Sequence, residues 1–232
     1  MYEADGFLHV PRLLDARQLH DVELALQRYA EIVDTLPAAD IVREAGGRAI
    51  RNLWRMEQHS AFFAALAESH KLRELVAPLV RGQPLSMGVE LFAKPARVGS
   101  AVPLHQDNGY FNLTPPDALT LWIALDAATE ENGCVRYARG SHHQGLREHK
   151  ATGIKGNSWA LAHPPAPAEL DELPGLLAPG DAMLHHCCLL HRSEANTSHQ
   201  PRRGLLIVYK AAHCRIDRQG LRRYQAAARL VS

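Results

Sequence analysis

This chain of 232 residues has few of the features that mark secreted, membrane or nucleic-acid-binding proteins. Its four cysteines are irregularly placed, and the adjacent Cys187 and Cys188 cannot easily pair with each other, so free thiols are expected. The longest apolar runs, such as residues 205–209, are far too short to span a bilayer. The first residues have neither the basic start nor the apolar segment of a signal peptide. We therefore expect a cytoplasmic protein without a membrane partner.

An excess of charge of one sign is also missing. Lysine and arginine number 26, and aspartate and glutamate number 25, so the net charge does not favour nucleic acid as a partner. The hydrophobic fraction of 46% is ample for a core, and the length fits one domain. We expect a monomer or homodimer. Histidine, with 14 copies, is the unusual component.

The first third of the chain predicts helices. Residues 15–36 carry apolar side chains at helical spacing, and Asp15 with Gln18 forms a capping-box pattern at the start. A proline ends this helix. Ser60 and Ser69 precede two more apolar stretches, as helix N-caps do.

From about residue 85 the pattern changes to short β-rich runs separated by turns. The predicted strands are 86–93, 100–105, 118–126, 133–138, 180–190 and 203–211. In 118–126, leucines and Ile123 occupy one face, and Trp122 lies on the other. The proline-rich segment 163–179 is predicted to be a long surface loop. Helices followed by short strands predict a closed or sandwiched antiparallel barrel, whose mouth can hold a ligand.

His105-Gln106-Asp107 is the first candidate for chemistry. Side chains two residues apart in an extended segment point the same way, so His105 and Asp107 could bind one metal ion. A second histidine would complete two imidazoles and one carboxylate, a set that suits non-haem Fe(II). Residues 180–191 offer His185, His186 and His191, and strand alternation does not choose among them because a bulge can change it.

Two arginines follow this segment. Arg202 and Arg203 open the last predicted strand and should point to opposite faces, so only one reaches the interior. A dicarboxylate co-substrate that chelates iron at its keto-acid end needs a planar, two-pronged donor for its far carboxylate. Arginine meets this need and lysine does not.

Motifs occur along the whole chain in a set order. They are the start at residues 2–8 with its following helix, His105-Gln106-Asp107, Leu121-Trp122-Ile123-Ala124-Leu125-Asp126, Glu131-Asn132-Gly133-Cys134, Gly140-Ser141-His142, Pro179-Gly180-Asp181, and His191-x-Ser193 with Arg202 downstream. In this order they resemble the phytanoyl-CoA dioxygenase family, whose members are Fe(II)- and 2-oxoglutarate-dependent oxygenases with a jelly-roll core.

The resemblance implies an α+β, mainly β fold with a double-stranded β-helix (jelly-roll, cupin-like) core and N-terminal helices packed on one sheet. The expected divisions of the single domain 1–232 are a helical N-terminal part at 1–82, the jelly-roll core at 83–214 and a C-terminal helix at 215–232. The implied activity uses Fe(II), 2-oxoglutarate and O2. It hydroxylates a small molecule and releases succinate and CO2.

The resemblance also implies roles for particular residues. His105, Asp107 and His191 match the iron ligands. Arg202 matches the 2-oxoglutarate anchor, with Arg203 as its exposed neighbour. In relatives that halogenate, the carboxylate is replaced by a small residue, so the presence of Asp107 favours hydroxylation.

Further positions match the co-substrate pocket. Ser193 matches a hydroxyl that assists the carboxylate of 2-oxoglutarate, and Trp122 and Met87 match residues of the pocket lining. Arg51 and Lys94 fit the pattern only loosely. Six further histidines are interpreted as structural or surface residues: His142, His143, His185, His186, His199 and His213.

Two other functions remain open. One is a cupin-like metal protein with redox-neutral chemistry at Zn2+, and the other is a catalytically silent binding module of the same fold. The segments expected to touch a substrate are 108–114, 142–159 and 163–179. Basic residues of the second segment could attract an anionic substrate or form a solvated face: Arg147, His149, Lys150 and Lys155.

Overall fold

The computed structural model describes residues 2–228. Its helices are α1 (Tyr2–Asp5), α2 (Ala16–Ile32), α3 (Met56–His59), α4 (Ala61–Ala67), α5 (His70–Val76), α6 (Asn108–Phe111) and α7 (Arg218–Ala228). Its strands are β1 (Phe7–Val10), β2 (Ile41–Arg43), β3 (Ile50–Leu53), β4 (Pro84–Lys94), β5 (Val102–His105), β6 (Leu113–Thr114), β7 (Ala118–Ala124), β8 (Val135–Ala138), β9 (His149–Ala151), β10 (Trp159–Leu161), β11 (Glu172–Pro174), β12 (Ala182–His186), β13 (His191–Ser193), β14 (Arg202–Ala211) and β15 (Arg215–Ile216). None of the helices described has the length and apolar character needed to cross a membrane.

Two antiparallel sheets build the core. The larger has seven strands in the order β1-β12-β7-β14-β4-β3-β2, and the smaller has four in the order β11-β8-β13-β5. Side chains from both sheets, including Trp122 and Leu206 from the larger and Tyr137 from the smaller, form one buried cluster. In both sheets, most neighbouring strands are not consecutive in sequence, so the chain crosses between the sheets. Two packed antiparallel sheets connected in this way form a jelly roll, so the predicted fold is confirmed.

The N-terminal helices cover the other face of the larger sheet. Val22 of α2, Phe63 of α4 and Leu72 of α5 share a buried cluster with Ile123 of β7. Trp122, the next residue back along β7, belongs instead to the cluster between the sheets. The predicted alternation along this strand and the packing of helices on one sheet are therefore confirmed.

The predicted start of α2 is also confirmed. The Gln18 N–H donates to Asp15 Oδ1 at 2.8 Å, and the Asp15 N–H donates to Gln18 Oε1 at 3.2 Å, which completes the capping box. The α-helix ends at Ile32, earlier than the apolar spacing predicts. Ser60 and Ser69 precede α4 and α5 as expected, but neither makes a capping hydrogen bond through its side chain.

Several predicted boundaries need correction. Residues 1–82 are not only helical, because β1, β2 and β3 join the larger sheet. The C-terminal helix begins at Arg218, after β15, and residues 229–232 of that prediction lie outside the described part of the chain. The segment 163–179 contains β11 at the edge of the smaller sheet. Each missed strand has at most four residues, too few for an alternating pattern to stand out.

Candidate metal centre and co-substrate pocket

Two histidines from neighbouring strands and one carboxylate converge at the end of β5. His105 ends this strand, and His191 begins β13 directly opposite it in the antiparallel pair. The two ring centroids are 4.1 Å apart. Asp107 lies beyond the strand, with helical dihedral angles (φ −58°, ψ −34°) before α6. Asp107 therefore reaches the histidines because the chain turns after the strand, and the expected alternation within one extended segment is wrong.

The three side chains direct one ligand atom each to a common point. Asp107 Oδ1 lies 3.6 Å from His105 Nε2 and 3.5 Å from His191 Nε2. The other ring nitrogens face carbonyl oxygens, His105 Nδ1 that of Pro103 at 2.9 Å and His191 Nδ1 that of Leu189 at 3.0 Å. A carbonyl only accepts, so Nδ1 carries the proton and each Nε2 keeps a free lone pair. This donor set fits a divalent metal ion such as Fe(II).

The ionisation states of His191 and Asp107 also suit the binding of a metal ion. Burial and the neighbouring ring of His105 hold the pKa of His191 well below its usual range. Burial alone would raise the pKa of Asp107, but the surrounding imidazoles, His191 foremost, keep it well below its usual range. A neutral imidazole and an ionised carboxylate are the forms that bind metal ions.

His185, which the sequence offered as one of three candidate ligands, is a further histidine at this centre. Its Nε2 lies 3.0 Å from Asp107 Oδ2, and the Thr120 hydroxyl donates to the same oxygen at 2.5 Å. Only 3% of the His185 side chain is exposed. Thr120 and His185 are register partners on β7 and β12, and such pairing between distant strands is not readable from one sequence. His185 is therefore a structural rather than a surface histidine, and it holds the Asp107 carboxylate.

We expect His185→Phe to lower the affinity for a divalent metal about 10- to 100-fold, the usual effect of removing a partner of a ligand. The phenyl ring fills the same space, but Asp107 loses one of its two donors on Oδ2. Equilibrium dialysis with Fe(II) under argon would measure the change. The neighbouring variant His186→Phe is the matched control and should bind metal as the native protein does. Equal affinities in the two variants would contradict the role of His185.

Arg202 is a buried cation without an anionic partner among residues 2–228. It is 3% exposed, and its Nε has no hydrogen-bond partner. The guanidinium carbon lies 5.2 Å from the ring centroid of Trp122. Burial lowers the pKa of Arg202 to about 10, so the group stays charged at neutral pH. A buried, unpaired charge is costly, and an anionic ligand would relieve that cost.

A small cavity joins Arg202 to the metal centre. Its lining contains the predicted ligands, three of the four predicted co-substrate residues and His185: His105, Asp107, His191, Arg202, Ser193, Trp122 and His185. Phe92, Val102, Thr120, Val135, Arg192 and Leu206 complete the lining. The structure thus brings together residues from β4, β5, β7, β8, β12, β13 and β14.

Met87 does not line this cavity, so its predicted position is wrong. It is 38% exposed, and it is the extra residue of a bulge, since Gly88 and Ser86 pair with consecutive residues of β14. Arg51 and Lys94 are buried but also lie outside the lining. Arg51 donates to the Ala101 carbonyl at 3.1 Å, and the Lys94 ammonium donates to the Ser100 carbonyl at 2.7 Å.

Arg203 points away from the cavity. Its guanidinium donates to both carboxylate oxygens of Glu23 at 2.8 and 2.9 Å, and to Asp126 Oδ1 at 2.7 Å. One third of its side chain is exposed. The expected exposed neighbour of Arg202 is therefore a half-buried ion-pair residue that ties α2 to the larger sheet.

Gly204 gives the Trp122 ring its space. A Cβ at this position would lie 2.1 Å from Trp122 Cζ2, a distance that forces the ring to move. We expect Gly204→Ala to destabilise the protein by about 1–3 kcal/mol. Thermal unfolding measures this loss. On the neighbouring strand, a Cβ at Gly88 would meet nothing closer than 3.9 Å, so Gly88→Ala should leave the melting temperature nearly unchanged. Similar losses in both variants would mean that the ring is not held by Gly204.

A second cavity of about 450 Å3 also borders the metal centre through His105 and Asp107. The predicted substrate segments 108–114 and 142–159 contribute Tyr110, Phe111 and residues 156–158, whereas 163–179 contributes nothing to this lining. None of the basic residues at 147–155 lines it either. The sequence missed the contributions of the N-terminal part and β4, which are Ala39, Val42, Trp54, Arg55, Glu90 and Phe92.

Comparisons with known proteins identify relatives of this chain. The family model described as phytanoyl-CoA dioxygenase (PhyH) matches residues 2–204. The chain is 31% identical over 228 residues to an L-proline trans-4-hydroxylase from Streptomyces griseoviridis. The aligned region covers 90% of this chain and 83% of the relative. A probable alpha-ketoglutarate-dependent hypophosphite dioxygenase from Stutzerimonas stutzeri is 33% identical over 177 residues, 72% of this chain and 60% of the relative.

The chain spans about half the length of several curated relatives named for phytanoyl-CoA dioxygenase. Among solved structures, EctD from S. alaskensis with 2-oxoglutarate and 5-hydroxyectoine superposes with a TM-score of 0.79. That match covers 93% of this chain and 76% of EctD at 21% identity, so it supports the fold. With residues 2–204 matched by the family model, this chain belongs to the phytanoyl-CoA dioxygenase family.

Proposed function

We propose that this protein is an Fe(II)- and 2-oxoglutarate-dependent dioxygenase that hydroxylates a small molecule, with release of succinate and CO2. The whole chain would form one domain for this activity. The observation that carries the proposal is a two-histidine, one-carboxylate set in the same cavity as a buried, unpaired guanidinium. Iron with a dicarboxylate co-substrate accounts for both features, whereas a metal ion alone leaves the guanidinium without a role.

In this proposal, His105 and His191 would hold the iron through Nε2, and Asp107 through Oδ1. Bound iron supplies the one-electron and O2 chemistry that no side chain provides. The Nδ1 hydrogen bonds of the two histidines to backbone carbonyls fix each ring with its lone pair directed inward. His185 and Thr120 hold Oδ2, so that Oδ1 stays turned toward the metal.

Arg202 would bind the far carboxylate of 2-oxoglutarate. Trp122 lies against the guanidinium and restricts its rotation, and the buried Ser193 hydroxyl is available in the same cavity. The apolar remainder of the lining excludes water, which strengthens the charge pairing with the co-substrate. Retention of Asp107 supports hydroxylation rather than halogenation.

The larger cavity would hold the substrate. It shares His105, Asp107 and Thr120 with the co-substrate cavity, so both molecules could approach the metal centre at once. Its volume of about 450 Å3 suits a small metabolite. The family includes relatives named for proline and for hypophosphite, both small polar molecules, which supports a substrate of that size class.

The four cysteines of the chain are free and buried, which favours a reducing compartment such as the cytoplasm. We expect a monomer or homodimer, and light scattering of the purified protein would measure which of the two forms.

Formation of succinate tests the proposed function. Protein loaded with Fe(II) and 2-oxoglutarate should release succinate slowly in air without a substrate, and faster with a true substrate. L-Proline and hypophosphite are the first two compounds to add. Release of succinate should stop under argon. A protein that neither binds 2-oxoglutarate nor forms succinate would refute the oxygenase and favour a redox-neutral metal protein or a silent module.

A further inference from the structure

Glu90 is a carboxylate in the wall of the larger cavity. It lies on β4 and pairs in register with Leu206 of β14. Leu206 pairs on its other side with Trp122 of β7. Glu90 and Phe92 both face the cavity, whereas the intervening Leu91 packs in the cluster under the helices. The carboxylate therefore shares the 450 Å3 space that the metal centre borders.

No hydrogen bond or ion pair within residues 2–228 satisfies this carboxylate. Arg55 lines the same cavity and lowers the pKa of Glu90, but its guanidinium is paired with Asp40, and nearly half of its side chain is exposed. Glu57, a second carboxylate near Glu90, accepts the Val89 N–H at 2.8 Å and adds negative charge. Glu90 is thus left without a donor in a mainly apolar wall.

Such a carboxylate needs a partner or a proton. Burial, with Asp107 and Glu57 contributing, raises the pKa of Glu90 to about 8. An organic cation in the cavity would supply the missing donor and would favour the ionised form. The walls around it are aromatic. Trp54 and Phe92 contact edge to face with centroids 5.1 Å apart, and Tyr110 and Tyr224 line the same space. Aromatic faces attract ammonium groups.

We propose that Glu90 binds a protonated amine of the substrate, so that the substrates of this enzyme are small primary or secondary amines. The ammonium N–H donates to the Glu90 carboxylate, and the rest of the molecule extends toward His105 and Asp107. This inference rests on the proposed function, because it assigns the substrate class of the same site. It concerns recognition only and leaves the binding of 2-oxoglutarate to Arg202 unchanged.

The test compares amines with analogues that lack the amine. The named pairs are L-proline with tetrahydrofuran-2-carboxylate, 4-aminobutyrate with butyrate, and piperidine with tetrahydropyran, within a wider library of amines and neutral or acidic compounds of equal size. Two readouts are needed, stimulated succinate formation and binding to anaerobic protein that holds a metal and 2-oxoglutarate. We expect the compounds that bind and stimulate to be amines.

Three variants locate the effect. Glu90→Gln keeps the shape of the side chain and removes its charge. It should lower the affinity for an amine that binds the native protein by roughly 10- to 100-fold, the range for a hydrogen bond to a charged group. Glu90→Asp keeps the charge and should retain the preference for amines. Glu131→Gln, at an exposed carboxylate outside the cavity, is the control and should match the native protein. In all three the affinity for 2-oxoglutarate should stay within a few-fold.

The outcomes separate the two proposals. A library with no amine among its binders, or equal affinity of Glu90→Gln and native protein for the amine, would overturn the role of Glu90. In either case substrate-free succinate formation would still support the oxygenase. Failure of native protein to bind 2-oxoglutarate or form succinate would instead refute the proposed function.

Discussion

Arg202→Ala is expected to weaken 2-oxoglutarate binding by at least about 30-fold, while metal binding stays close to that of the native protein. Loss of one partner of a buried charge pair typically costs about 2–5 kcal/mol, which corresponds to roughly 30- to several-thousand-fold in affinity. The guanidinium has no other anionic partner among the residues described, so the co-substrate would carry the whole interaction.

The ligand-free protein should respond in the opposite direction. Removal of a buried, unpaired cation relieves a desolvation cost, so the melting temperature of Arg202→Ala without 2-oxoglutarate should equal or exceed that of the native protein. A residue that served only the fold would lower it. The combination of lost affinity and unchanged or higher stability is thus specific to a ligand-binding guanidinium.

An anaerobic titration with 2-oxoglutarate, followed by the weak visible charge-transfer band of the Fe(II) chelate, measures the affinity. Arg203→Ala is the matched control one residue along β14. It should keep the affinity and lose stability, because Arg203 pairs with Glu23 and Asp126. Native-like titration of Arg202→Ala would contradict the assignment of the anchor.

The contrast between Arg202 and Arg203 shows which features of the site could be predicted from the sequence. Strand alternation requires that neighbours point to opposite faces, and only one of them could enter the cavity. The resemblance implied Arg202, and the structure places Arg202 in the cavity and Arg203 in ion pairs. The jelly-roll fold, the helices on one sheet and the enzyme class were likewise predictable, because they depend on periodicity and on motifs spread over most of the chain.

Features that depend on pairing between distant strands were not predictable. The approach of His185 to Asp107 requires the register of β12 on β7, which no local pattern encodes. Met87 lies outside the pocket because a bulge in β4 shifts the register there by one residue, and a bulge has no clear sequence signal. The position of Glu90 in the cavity wall was missed for a related reason. An acidic residue in a strand suggests a face exposed to solvent, unless the residues that enclose that face are known.

Asp107 shows a different limit. It lies beside the two histidines as expected, but the geometric reason was wrong, since the chain leaves the strand after His105. The carboxylate is oriented by two donors from the larger sheet, although the histidines it joins come from the smaller one. The candidate metal centre therefore includes groups from both sheets, and the distances between its ligand atoms depend on how the two sheets pack.

Asp107→Ala should abolish hydroxylation and lower metal affinity by more than about 100-fold, beyond the loss from removing an outer partner of a ligand. The two remaining imidazoles would hold a divalent ion without the only anionic ligand of the set. Metal content after dialysis and succinate formation measure the two effects separately. Thr120→Val is the comparison for a smaller change. It removes one donor from Oδ2 but leaves Oδ1 and both histidines, so its metal affinity should fall about 10- to 100-fold, as for His185→Phe, and part of the activity should remain.

The same substitution should change how stability depends on pH. The folded-state pKa of Asp107 lies below the unfolded value of about 4, so the ionised carboxylate stabilises the protein above that pH, and this contribution is lost as the pH falls through the folded-state pKa. Asp107→Ala removes the contribution and leaves the His185 and Thr120 donors without their acceptor, a cost of about 1–3 kcal/mol for a buried group. Metal-free Asp107→Ala should therefore melt below the native protein at pH 7, and the difference should shrink as the pH falls below 4. A difference that does not vary with pH would mean that the carboxylate is not held by these groups.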